Sequence, residues 1–225
     1  FDDAVAIGGW PMDDHPPGGF DEPDKKPAIQ IQTAAVFNIP LRSLFSRNLD
    51  NLFMAGRNIS ASHVAFTSTR VMGTCAVEGQ AIGTVAAYCK RHDLTPAELV
   101  EKKEHLRAAQ QTLLRDDQTI RGLRNDDALD LARTAQVSAS HAVEGFKAEY
   151  VNDGWTRDEP GEWVHHWRGL LADGTAWIQL DWPSPIVLRH IQLVFDSGFQ
   201  RPLTLTEQTD YRKRMIIGPQ PETVR

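Results

Sequence analysis

The sequence predicts an α/β half-domain followed by an all-β sandwich of the jelly-roll type. In the first half, the apolar run Leu52–Ala55 stops at Gly56 and leads through a polar loop into a helix that begins near Val71. That order is typical of a buried strand and its following helix in an α/β sheet. In the second half, polar and apolar residues alternate with period two in short segments separated by turn residues, which is typical of a sandwich.

The two halves meet in a charged stretch, 116–130, which contains Gly122 and few apolar residues. Such a composition is typical of the boundary between domains. We therefore expect an α/β domain over 1–120 and a sandwich over 125–225, with the closing strands of the sandwich incomplete.

The overall composition narrows the class of protein and of partner. The chain has 225 residues, of which 41% are hydrophobic, enough for a packed core. Its net charge of −6 argues against a nucleic-acid partner, which needs a basic surface. No apolar run approaches the roughly 18 residues of a membrane span, and the compartment stays open between cytoplasm and periplasm.

The two cysteines, Cys75 and Cys89, both fall on the helix that begins near Val71. Their spacing on a helix separates them by about 21 Å, whereas a disulfide needs Cα atoms within about 7 Å. We therefore predict two free thiols and no dithiol chemistry.

The first 40 residues are predicted to form two strands joined by a long loop. The strands are Ala4–Ile7 and Ala28–Ile39, and Pro40 ends the second. The stretch 11–27 between them holds five prolines. Loops of this length inside a compact domain are usually functional.

A second helix is predicted over Leu94–Asp116. Thr95 and Glu98 form a capping box, and Pro96 occupies the first helical position. The apolar residues of this helix form one narrow stripe, which is expected to face the core: Leu99, Leu106, Leu113 and Leu114.

The helix that begins near Val71 is built on small residues. One of its faces, at three- and four-residue spacing, consists of Ala76, Gly79, Gly83 and Ala87. A glycine inside a helix costs roughly 1 kcal/mol relative to alanine, so two on one face suggest a very close neighbour. Since helix N-termini also present free N–H groups to anions, the strand, turn and helix predict a cradle for a large anionic cofactor.

This segment resembles the C-terminal flavin-binding segment of the FAD-dependent oxidoreductases with a glutathione-reductase-like fold, and most of all the bacterial family often found beside carbohydrate-processing genes. The carriers of the resemblance are Gly8–His15, Asn38–Arg42, Asn51–Arg57, Ser60–His63 and Arg70–Ala87, with a weaker likeness to about Asp116. The resemblance implies FAD as cofactor. It also implies hydride transfer between the flavin and a small hydroxylated substrate, with carbohydrates as one such class.

The resemblance further implies that the Gly56 turn and the start of the helix hold the cofactor. The residues concerned are Gly56, Arg57, Asn58, Ser60, Arg70, Val71, Met72 and Gly73. Arginine can stabilise the negative charge of a reduced flavin or bind cofactor oxygens. The alternative for Arg57 and Arg70 is a salt bridge to Asp50 or Glu78.

Enzymes of this kind bind the ADP half of FAD at a G-x-G-x-x-G turn, and that pattern does not occur in the sequence. The chain also begins at Phe1 rather than at Met. We therefore expect the C-terminal part of a longer enzyme, whose partner is an upstream part that carries the dinucleotide fingerprint.

Two histidines are candidates for the general base. His15 follows Asp13 and Asp14, and a neighbouring carboxylate can orient an imidazole that titrates near neutrality. His63 lies in the loop after the flavin strand, where it would contact the flavin or the substrate. The alternatives are an exposed loop histidine at 15 and a structural histidine at 63. A metal site of Asp13, His15 and His63 has no ligand spacing in its favour.

The second half resembles the galactose-binding-like jelly roll of discoidin-type modules. The carriers are Ala132, Val137–Ser140, Asn152–Trp155, Trp177–Asp181 and Ile191–Phe195. Five of the six tryptophans lie between Trp155 and Trp182, where they would stack on sugar rings or, alternatively, fill the sandwich core. His165 and His166 are expected on a strand surface. The competing function is therefore a non-catalytic carbohydrate-binding fragment that retains the flavin motif.

Overall fold

The computed structural model describes residues 1–32, 36–159, 164–171, 174–196 and 213. The chain divides into two compact units, Phe1–Asp181 and Trp182–Arg225. In the second unit, 182–196 form no helix or strand. The alternating segment Ile191–Phe195, expected to be one of the short strands of the sandwich, is therefore not a strand, and its apolar side chains are exposed.

The described part of the first unit is a small mixed α/β structure with short strands. These strands are β1 (Ala4–Gly8), β2 (Met12–Asp14), β3 (Ile29–Ile31), β4 (Phe37–Pro40), β5 (Gln136–Ala139) and β6 (Ile178–Asp181). They form three antiparallel pairs, β1 with β4, β2 with β3, and β5 with β6.

The first 40 residues contain more strand than the proline count predicted. The strand expected at Ala4–Ile7 is confirmed as β1, but the stretch 11–27 is not all loop. Within this stretch, Met12–Asp14 forms β2, which pairs with Ile29–Ile31, the segment that follows the last of the five prolines. The strand expected over Ala28–Ile39 is two strands, β3 and β4, with 33–35 outside the described residues.

The parallel strand expected at Leu52–Ala55 is wrong. This segment folds back on the chain just before it: the Ser46 N–H donates to the Leu52 carbonyl at 2.9 Å, and the Met54 N–H donates to the Leu44 carbonyl at 2.8 Å. Phe45 and Phe53 form an isolated antiparallel bridge. Because the hydrogen bonds of the segment are used locally, they are not available to a parallel neighbour.

The α-helices of the described residues are α1 (His63–Thr69), α2 (Met72–His92), α3 (Pro96–Glu101) and α4 (Lys103–Arg115). The polar loop expected between Gly56 and Val71 is wrong over α1, which Ser62 begins by accepting a hydrogen bond from the Ala65 N–H. The capping box of Thr95 and Glu98 is confirmed. The single helix expected over Leu94–Asp116 is two helices, because Lys102 leaves the helical region with φ −87 and ψ 87.

The core lies where β1 packs against α2 and α4. Val5 of β1, Val85 of α2 and Leu113 of α4 are fully buried. The stripe of four leucines is confirmed as a core face, since each of them is buried. The two thiols are free, as predicted, because α2 carries both.

Side-chain amides and one ion pair hold β1 in place. Gln110 Nε2 donates to the Asp2 and Ala4 carbonyls at 2.9 Å each, and Gln118 Nε2 donates to the Val5 carbonyl. Buried Asp3 accepts from Arg42 Nε at 2.8 Å and from Arg42 NH2 at 2.7 Å. The two amides therefore satisfy carbonyl groups of β1 and of the residue before Asp3, and the ion pair anchors the start of the strand.

The second half of this unit has one described strand pair. In β5 and β6, Val137 lies opposite Leu180. His165 and His166 lie in a segment, 164–171, without regular structure, so their expected place on a strand surface is wrong. Each binds an acidic residue instead: His165 Nδ1 lies 2.7 Å from Asp153 Oδ2, and His166 Nδ1 lies 2.9 Å from Asp158 Oδ2.

Among the described residues, no helix is both long and apolar enough to cross a membrane.

Candidate functional site

Two histidine–carboxylate pairs meet at β2. His15 Nε2 lies 3.1 Å from Asp13 Oδ2, just beyond the end of the strand. His63, the first residue of α1, places its Nε2 2.9 Å from Asp14 Oδ1. Successive strand residues point to opposite sides, so Asp13 and Asp14 serve different histidines. Both imidazoles remain accessible, with exposed fractions of 54% and 78% for their side chains.

Arg70 ties this cluster to the beginning of α2. It ends α1 and lies two residues before Met72, where α2 begins. Its guanidinium NH2 donates to the Asp13 carbonyl at 2.6 Å and lies 3.5 Å from Asp13 Oδ2. Gln30 of β3 adds a donor at 3.3 Å to Asp13 Oδ1. Asp13 is therefore held by three groups and is the most enclosed acid of the cluster.

The arrangement is suited to proton transfer. When a carboxylate accepts from the Nε2–H of an imidazole, it fixes the tautomer in which Nδ1 carries the lone pair. In the neutral state, the contacts of His15 with Asp13 and of His63 with Asp14 both favour that tautomer. Each pair presents a basic nitrogen at a solvent-accessible surface, where it can take a proton from a hydroxyl group.

The second part of the candidate site is the Gly56 turn, which lies near the start of α2. Gly56 has φ +90, a conformation that L side chains rarely adopt. Its N–H donates to Glu78 Oε2 at 2.6 Å. Arg57 follows and places its guanidinium 5.5 Å from the centre of the Phe66 ring. Further along, the Ser60 N–H donates to the Ser43 carbonyl at 2.9 Å, and Asn58 is exposed.

The N-terminus of α2 is open. Val71 precedes the helix without a side-chain cap, and the Met72 side chain is 90% exposed. A Cβ added at Gly73, Gly79 or Gly83 would meet no atom of another element within 4 Å. The close neighbour expected for the small-residue face is therefore not a part of the described chain. The face leaves backbone accessible to another molecule.

The predicted site residues fall into two groups that Arg70 joins. Asp13, His15 and His63 form the histidine–carboxylate cluster, and the expected cofactor residues lie along the Gly56 turn and the start of α2. Neither Arg57 nor Arg70 forms the alternative salt bridge to Asp50 or Glu78, since Arg57 faces Phe66 and Arg70 faces Asp13. The described residues contain no metal-binding group of three or more His, Cys, Asp or Glu.

Sequence reasoning missed two participants. In the sequence Asp14 is a neighbour of His15, yet in the structure it is the partner of His63. The sequence offers Glu78 only as an ion-pair partner, yet it is buried and binds the Gly56 turn. A glutamate within a run of alanine, valine and glycine was the available signal, because glutamate is rarely buried without a specific partner.

Comparison with known families identifies the first half. Residues 1–113 of the 225 match the family model described as FAD dependent oxidoreductase, and 130–204 match a domain of unknown function, DUF7402. Comparison with curated proteins and with solved structures gave no significant match. Since the first match spans half of the chain, the protein belongs to the FAD-dependent oxidoreductase family. Its cofactor is FAD.

The chemistry of this region fits FAD. Arg57 and the free N–H groups at the start of α2 would supply positive charge and donors for phosphate or ring oxygens, and Arg70, which pairs with Asp13, would add further donors. The open glycines at 73 and 79 leave room for a flat ring system against the helix backbone.

Proposed function

We propose that this chain is part of an oxidoreductase that transfers a hydride between FAD and a small hydroxylated substrate, with carbohydrates as the first class to test. Family membership supports the flavin-linked redox function. The observation that carries the proposal is the contact of Arg70 with Asp13, because it joins the proton-transfer cluster to the start of the helix that is expected to hold the cofactor.

In this proposal His15 is the base. Asp13 orients its imidazole through Nε2, which leaves Nδ1 to accept the proton of a substrate hydroxyl. FAD supplies the group that accepts or donates the hydride. Arg70 neutralises Asp13 and holds its backbone, so the carboxylate keeps its orientation toward His15. His63, oriented in the same way by Asp14, is the second candidate for the base.

The finer features of the sequence prediction belong to the same proposal. We propose a glutathione-reductase-like fold for 1–120 once an upstream part with the dinucleotide fingerprint is present. We propose a galactose-binding-like jelly roll for 125–225, and the antiparallel pair of β5 and β6 is its support.

A second candidate function is a non-catalytic carbohydrate-binding role for the second half. It is favoured by Trp177, whose side chain is 52% exposed, because an exposed indole can stack on a sugar ring. The two functions are compatible, since the tryptophan and the histidine cluster lie in different halves of the chain.

The absorption spectrum tests the cofactor and partner proposals. Purified 1–225, alone and mixed with an upstream polypeptide carrying G-x-G-x-x-G, is titrated with FAD and read in the visible range. We expect weak or no binding alone and binding in the mixture, because the ADP half needs the fingerprint. Tight stoichiometric binding by the chain alone would contradict the partner proposal. Absence of binding in both samples would contradict the proposed function.

Replacing His15 by alanine tests the base. Turnover should fall by roughly 10²-fold or more with flavin binding intact, since general bases contribute about that much. The matched control is His141→Ala, because His141 is an exposed histidine in the other half whose backbone carbonyl, not its ring, accepts from Trp167. Full activity in His15→Ala with an unchanged pH profile would exclude His15 and make His63 the residue to replace next.

A further inference from the structure

Glu78 occupies an unusual place for an acidic residue. It lies in α2 one turn beyond Cys75, and its side chain is fully buried, with 0% exposed. Its neighbours on α2 are mainly small or apolar. A buried ionised carboxylate without a cation is very costly, so a specific reason is needed to keep glutamate at this position.

The Glu78 side chain makes one hydrogen bond to a residue that is distant in the sequence. Oε2 accepts a hydrogen bond of 2.6 Å from the N–H of Gly56, which precedes Glu78 by 22 residues. Oε1 is buried and has no hydrogen-bond partner among the described residues. Gly56 itself has φ +90, a conformation that glycine adopts without strain, so the hydrogen bond to Glu78 selects one of several backbone shapes open to it.

The surroundings favour the uncharged acid. Burial raises the pKa of Glu78 above its usual value of 4.5, and the Gly56 N–H, which favours the carboxylate, offsets part of that rise. The other titratable groups near Glu78 and the Gly56 turn are the Cys75 thiol and the Arg57 guanidinium. Burial, followed by the influence of Glu78, raises the pKa of Cys75, which keeps its thiol protonated.

We propose that Glu78 is a positioning residue that holds the Gly56 turn in the shape required to bind FAD. This inference rests on the proposed function, because the turn matters to catalysis only if the cofactor binds there. The carboxyl group reaches the turn from inside the protein. It therefore fixes the backbone that leads into Arg57 and leaves the outer side of the turn free for the cofactor.

Two substitutions of Glu78 distinguish its role as a hydrogen-bond acceptor for Gly56 from the effect of its charge. Glu78→Gln keeps an acceptor oxygen for the Gly56 N–H and has nearly the shape of the neutral acid. Glu78→Leu has a similar volume and no acceptor. The matched control is Glu101→Gln, which changes an exposed glutamate at the end of α3.

The first measurement uses the full chain without FAD and reads hydrogen exchange of the Gly56 amide. We expect Glu78→Gln and the control to match the wild type, and Glu78→Leu to exchange at least tenfold faster. The second measurement is the free energy of unfolding against pH. The raised pKa means that the contribution of Glu78 to stability is fully present below pH 4.5 and is lost as pH rises toward the folded-state pKa, by up to about tenfold in the unfolding constant per pH unit. Glu78→Gln should remove that loss.

The third measurement is FAD affinity and the visible spectrum in the flavin-binding assembly. We expect Glu78→Gln to bind within about twofold of the wild type, and Glu78→Leu to bind roughly tenfold more weakly with a shifted spectrum. Unchanged Gly56 exchange in Glu78→Leu, or weakened binding in Glu78→Gln equal to that in Glu78→Leu, would overturn the proposal. If the wild-type assembly binds no FAD, the proposed function and the cofactor role of Glu78 both fail, while the exchange data still decide whether Glu78 holds the turn.

Discussion

Replacing Gly79 by alanine tests whether the small-residue face of α2 is open in the folded chain. A Cβ at this position would meet no atom of another element within 4 Å. The substitution therefore adds no clash, and the only change within the chain is the conformational freedom that alanine removes from the unfolded state. If the face were packed, the methyl group would have to displace its neighbours.

The magnitude follows from helix propensity. Alanine is favoured over glycine by about 0.8–1.0 kcal/mol in the interior of a helix. For a unit of this size, about 1 kcal/mol corresponds to a change of about 2–4 °C in Tm. We expect Gly79→Ala to raise the free energy of unfolding by about 1 kcal/mol, and Gly79→Leu to be tolerated as well. Urea and thermal unfolding, followed by circular dichroism in the helical band, measure both.

The matched control is Gly154→Ala. Gly154 has φ +92, and a Cβ there would lie 2.6 Å from the Asn125 carbonyl oxygen. Strain and overlap should lower the free energy of unfolding by more than 1 kcal/mol. A loss of stability in Gly79→Ala comparable to that of the control would refute the reasoning, because it would mean that the face is covered. A loss of FAD affinity in Gly79→Leu with normal stability would instead locate the cofactor or its partner on this face.

Two further predictions concern the core. Burial alone would raise the pKa of Asp3, but the hydrogen bonds and charge of Arg42 outweigh it and lower the pKa. Asp3→Asn should therefore lower the free energy of unfolding by about 1–3 kcal/mol at neutral pH. This difference from the wild type should shrink as pH falls below about 3.8. A difference that stays constant down to pH 2 in urea unfolding would contradict the prediction. Leu113→Ala should lower the free energy of unfolding by about 2–5 kcal/mol, because Leu113 is fully buried. The control Leu129→Ala, at an exposed position, should change it by less than about 0.5 kcal/mol. Equal effects of the two substitutions in thermal melts would contradict the packing of Leu113 in the core.

The helices were predictable because their signals are local. The capping box of Thr95 and Glu98 and the leucine stripe depend on residues three or four positions apart, which a helix brings together whatever surrounds it. The break at Lys102 was not predictable in the same way. It interrupts a continuous apolar stripe, and no glycine or proline marks it.

The strands were less predictable, because a strand is completed by a partner that the local sequence does not name. The apolar run Leu52–Ala55 satisfies the pattern of a buried parallel strand, yet its hydrogen bonds go to Leu44 and Ser46 just upstream. The prolines of 11–27 suggested a loop, although β2 pairs across them with β3. In both cases pairing, rather than residue type, decided the structure.

The family, the cofactor and the two free thiols were predictable from the sequence, because they depend on local pattern and on motif. The tertiary structure alone decided that Asp14 meets His63 across 49 positions and that Glu78 reaches Gly56 across 22. It also decided that the small-residue face of α2 is open. Contacts between distant segments arise from packing of the whole unit, and a single sequence does not specify which polar side chains that packing brings together.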